Sequence, residues 1–160
     1  TVRTFVKHAA FLQLVRGRRL RLQRTEPNIG ALATALADPV NPVTAQYHLA
    51  FVASDTFYEH THRYPGQRHD WQADVDPLLS HAQTYCARIG LDLSDSDRVR
   101  LQHACYELTR GAHSDTPSTA AYLGGVAAQE VIKILTVQYI PLDNTCVYDG
   151  IVQAVSSFRL

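Results

Sequence analysis

Cysteine and histidine are the residue types in this sequence that could do chemistry unaided, and their spacing decides how far to take them. The 160 residues include Cys86, Cys105 and Cys146 and eight histidines. A cysteine that carries an acyl group as a thioester needs a lowered pKa, from a basic neighbour or a helix N-terminus. Cys86 and Cys105 fall at apolar positions of helical segments, beside Tyr85 and Tyr106, and Cys146 falls in a strand. All three read as small core residues. Their odd number and wide spacing point to reduced intracellular thiols rather than a disulfide framework. His60 and His62 flank one residue with Glu59 alongside, but i and i+2 on a helix point to different faces. Neither HExxH nor CxxC spacing occurs, so the histidines read as surface residues and no metal site is assigned. GxGxxG and GxxxxGK[ST] are also absent. No catalytic, cofactor-binding or metal-ligating residue can be named.

The glycine pair Gly124-Gly125 is the remaining unusual feature, and it lies inside a helix. Pro117–Gln138 reads as that helix, with Asp115 or Thr116 as cap and Pro117 in the first turn, where a missing N–H costs nothing. Ala120, Leu123, Ala127, Val131, Ile134 and Leu135 share one side, flanked by Tyr122, Val126 and Ile132. Polar side chains make only a narrow strip of Gln129, Glu130, Lys133 and Thr136, so the pattern predicts a largely buried helix. Each glycine costs about 1 kcal/mol relative to alanine in a helix interior. Close approach by another backbone would compensate, either inside the chain's own core, the plainer reading, or from a second subunit. The helix N–H groups are already used in the helix ladder, so the pair is no phosphate cradle.

Upstream of it the periodicity is helical throughout residues 1–110. Residues 4–24 predict one basic helix, with Phe5, Ala9, Leu12 and Val15 at helical spacing. Pro27 starts a short helix through Ile29, Leu32 and Leu36, and the two prolines of DPVNPV make a turn. Val43 to His62 predicts a long helix, with Tyr47, Phe51, Ser54 and Tyr58 on one stripe and Ala50 and Phe57 beside it. Asp76-Pro77 predicts a cap and first turn for a helix that Gly90 ends. Ser94, Asp95 and Ser96 offer caps for another, reaching Arg110. Downstream, Tyr139–Leu142 and Thr145–Tyr148 predict short strands, and Asp149-Gly150 predicts a tight turn into Ile151–Phe158. A lone hairpin is marginal in water, so this tail is expected to join a sheet made elsewhere.

Fifteen basic residues balance fifteen acidic ones, giving no whole-molecule attraction to nucleic acid or anionic membrane. The balance cancels unlike parts: seven positive charges precede Glu26 with no acid among them, leaving 8 basic against 15 acidic. A basic face this short of stacking aromatics reads as a solvated face, or one docking on acidic neighbours, rather than as a nucleic-acid stripe. No stretch reaches the roughly 18 apolar residues of a membrane span.

The run STAAYLGGVAAQEVIKILTVQYIPLDNTCVYDG resembles the end of the adenylation domain of enzymes that activate ubiquitin-like proteins. VYDGIVQAVSSFRL is most similar to the regulatory, Ula-type subunit of the neddylation activating enzyme. VKHAAFLQLVRGRRL and THRYPGQ resemble the same subunit's helical region. The resemblance implies a mostly α chain ending in an α/β piece. Residues 1–112 would be a helical bundle, half of a catalytic-cysteine-type domain. Residues 113–160 would be the last helix and β-hairpin of a ThiF-like pseudo-adenylation fold whose parallel sheet lies elsewhere. It also implies a scaffolding role in a heterodimer, cytoplasmic and nuclear, that activates a ubiquitin-like modifier. ATP and magnesium would sit in the catalytic partner, which would also own the reactive cysteine. Gly124, Gly125, Gln129 and Lys133 are the interface residues to expect. Two other functions remain open: the tail of an active adenylating enzyme, and a helical adaptor binding acidic protein or RNA through the basic Arg16–Arg24 surface.

Overall fold

The computed structural model describes residues 2–9, 17–39, 43–114 and 116–160. Among them are seven α-helices and one two-stranded antiparallel sheet. Helix α4 (Val43–Thr61) is the axis of the bundle, packed by α3 (Ile29–Leu36), α5 (Val75–Ile89) and α6 (Asp95–Arg110). Ala45, Leu49, Ala53 and Phe57, at i, i+4 spacing, carry its core face. They meet Leu32 and Leu36 of α3, Leu78 and Ala82 of α5, and Leu101 and Ala104 of α6. The expected aromatic stripe is not this face: Phe51 is 51% exposed, and Tyr58 is exposed as well. Alanines at 45, 50 and 53 permit closer helix approach than rings would, so the aromatics lie outside the tightest packing.

Local chemistry accounts for most boundaries. Asn28 Oδ1 accepts from the Ala31 N–H at 3.1 Å and starts α3. Ser94 and Asp97 form a reciprocal capping box at the head of α6. Gly90, at φ 73°, ends α5 in the left-handed region. Helix α5 begins earlier than Asp76-Pro77 suggests, because a 3₁₀ turn, Gln72–Asp74, leads into it. The carboxylate of Asp74 is committed elsewhere. It takes both Arg63 guanidinium nitrogens at 2.5 Å and the Gly66 N–H at 2.9 Å. Arg63 in turn lies 5.1 Å over the Phe57 ring, so this clasp ties the loop after α4 to the bundle. A Cβ on Gly66 would stand 2.1 Å from the Thr109 carbonyl oxygen, and its φ is +82°. Only glycine fits there.

The basic N-terminal stretch is not one helix. Helix α1 (Val2–Ala9) and helix α2 (Leu20–Thr25) are separated, and residues 17–19 are non-helical, with Arg19 extended. Leu12 and Val15 lie outside the described residues, as do residues 40–42 of the DPVNPV turn. Helix α2 buries no residue, and Arg24 reaches Asp55 of α4 at 2.5 Å.

The C-terminal hairpin differs from expectation in three ways. Tyr139–Leu142 is not a strand: Val137 and Tyr139 take φ of 53° and 55°. Strands β1 (Thr145–Asp149) and β2 (Ala154–Phe158) pair with Thr145 opposite Phe158 and Asp149 opposite Ala154. The turn between them therefore has four residues, not the two of a tight Asp-Gly turn. Asp149 Oδ1 accepts from the N–H groups of Ile151 at 2.8 Å and Val152 at 3.4 Å, and Gln153, not Gly150, has positive φ. Finally, the hairpin has a support in this chain. Val147, Phe158 and Leu160 join the bundle's apolar cluster, while Ile151 and Val155 stay exposed.

Candidate docking surface

Helix α7 runs from Pro117 to Thr136 and buries none of its residues. The expectation of a buried helix is thus corrected: its composition suits an interior, but the described residues supply none around it. Asp115 lies outside the described residues. Thr116 is the N-cap without a side-chain bond to the helix backbone, its hydroxyl donating instead to Thr119 Oγ1 at 2.8 Å.

At about 100° per residue, α7 is inside out. Its half-buried residues are Thr119, Val126, Glu130 and Lys133, which share one narrow side. That side faces its own chain. Beside it the Tyr122 ring lies 4.6 Å from Tyr148 of β1. Glu130 accepts from Lys133 Nζ at 2.6 Å and from the Leu142 N–H at 2.7 Å. These two donors, Lys133 first, hold the Glu130 carboxyl below the usual carboxylate range. The opposite side carries Leu123, Ile134, Ala127, Ala120, Val131, Gly124, Leu135, Ala128, Ala121, Ile132 and Gly125 over an arc of roughly 200°. All of these are exposed, Leu135 by 76%. Val137, Tyr139 and Ile140 extend the apolar surface beyond the helix end. An exposed apolar stretch this continuous marks a contact site.

Gly124 lies near the middle of the arc and Gly125 at its margin. A Cβ on either would meet nothing within 4 Å among the described residues. Among the described residues, then, nothing makes the close approach inside this chain's own core that is the plainer reading of the pair. Lys133 is turned to Glu130 on the hairpin side, and Gln129 is exposed at the edge of the polar strip. Gly125, Gln129 and Lys133 follow one another at i, i+4 spacing along one side of α7, whereas Gly124 lies about 100° from Gly125, in the middle of the apolar arc.

The thiols are not activated. Burial pushes Cys86 up to about 11 and Cys105 up to about 12. Cys146, half-buried in β1, is raised by burial and then by the Glu130 charge. Among the described residues no group of three or more His, Cys, Asp or Glu is placed to hold a metal ion. His60 stacks on His81 with ring centroids 5.1 Å apart, a cross-helix pairing that i, i+2 spacing could not reveal. Sequence reasoning also missed an open cleft of about 530 Å³ where α4, α6, the head of α7 and the hairpin turn meet. Tyr47, Phe51, Glu107, Arg110, Tyr148 and Asp149 line it. Burial, then Asp149 and Glu107, pushes the Tyr47 phenol up to about 12. The exposed aromatic stripe of α4 was its only sequence signal.

No protein-family model matches the chain. Individual proteins do. The Nedd8-activating enzyme E1 regulatory subunit of Drosophila melanogaster is 31% identical over 160 residues, covering 100% of this chain and 29% of that protein. The chain is homologous to a segment of the NEDD8-activating E1 regulatory subunits. The regulatory subunit of Danio rerio is 30% identical over 99% of the chain and 29% of its own length. The Arabidopsis thaliana subunit AXR1 is 28% identical over 94% of the chain and 27% of its own length. The chain thus spans less than a third of these relatives, and the match takes in bundle, α7 and hairpin together. Among the described residues no helix is long and apolar enough to cross a membrane.

Proposed function

We propose that this chain is a scaffolding segment of a regulatory subunit that, with a catalytic partner, activates a ubiquitin-like modifier. The exposed apolar arc of α7 carries the reading. A helix that leaves its apolar residues in water, while turning Glu130 and Lys133 to its own chain, is built to be covered. Residues 1–112 would serve as the helical half of a catalytic-cysteine-type domain. Residues 113–160 would close a ThiF-like pseudo-adenylation domain whose parallel sheet covers α7. Thiols raised by burial support a non-catalytic role, and the partner would supply ATP, magnesium and the thioester-forming cysteine. The work would be done in the cytoplasm and nucleus.

The test is reconstitution. ATP–pyrophosphate exchange with a ubiquitin-like modifier stays at background with this chain alone. It appears when the catalytic subunit joins the regulatory polypeptide that contains this segment. Robust exchange by the chain alone would defeat the proposal, as would full activity of the catalytic subunit without it.

A further inference from the structure

We draw no further inference here: the strongest candidate, the exposed apolar face of helix α7 with the open cleft at the helix head, carries nothing, because nothing in the structure shows whether a second subunit or the rest of a longer polypeptide covers either.

Discussion

Helices α4 and α7 are nearly equal in length, at 19 and 20 residues, and end opposite in environment. Helix α4 carries Thr44, Gln46, His48, Ser54, Asp55 and Glu59 among its apolar residues, yet nine of its residues are buried. Helix α7 is apolar over more of its circumference and buries none. Apolar content states what a helix could bury; neighbours decide whether it does. In α4 the partners come from this chain, from Leu32 before it to Leu160 at its end, and the bundle closes on itself. In α7 the partners are not among the described residues.

The largest effect should come from removing a side chain on each helix. Leu49→Ala in α4 leaves a cavity in a fully buried site and should cost about 2–5 kcal/mol in urea unfolding of the chain. Leu135→Ala in α7 should change stability by less than about 0.5 kcal/mol in the same measurement. Equal losses would erase the contrast.

Titration separates the regions next. His48 of α4 lies edge-on to Phe158, with ring centroids 5.7 Å apart, and its Nε2 is buried without a partner. Burial, then the Arg24 charge, lowers its pKa from 6.5 to about 4. The unfolded chain binds this proton more readily, so stability is full above about pH 6.5 and falls as pH drops toward 4. The loss should reach about 1–3 kcal/mol, partly offset by residual solvent access. His48→Phe should flatten that slope; an unchanged slope would show that His48 is not its source.

Two glycines give a contrast of opposite sign. Gly66→Ala forces a Cβ into the Thr109 carbonyl and should destabilise by about 1–3 kcal/mol. Gly124→Ala meets open space and should stabilise the 160-residue chain by up to about 1 kcal/mol. If Gly124→Ala destabilises this chain, α7 has an internal contact that the structure lacks. The smallest effect is at Gly150. Its φ is not positive, and a Cβ would meet Thr119 Oγ1 at 3.5 Å and Tyr148 Cε1 at 3.6 Å, ordinary contacts. Gly150→Ala should shift thermal unfolding by no more than about 0.5 kcal/mol. A large loss would restore the tight Asp-Gly turn.

Helix ends were the most legible part of this chain, because their causes are local. Ser94, Pro117 and Gly90 act within four residues of themselves, and each marks a boundary where its chemistry places it, although the start read at Pro27 falls to Asn28 and the one read at Asp76 falls earlier. The relationship to E1 regulatory subunits was equally readable, being carried by runs of residue identity. Everything that depends on distant partners was not. The choice between the Tyr47–Phe51 face and the Leu49–Phe57 face of α4 waits on what α5 and α6 present to it. Asp74 abandons a cap because Arg63 and Gly66, remote along the chain, converge on its carboxylate. Helix α7 looked interior because periodicity records which side chains avoid water, whereas burial is a property of the space around them. That space is settled only when every packing layer is present.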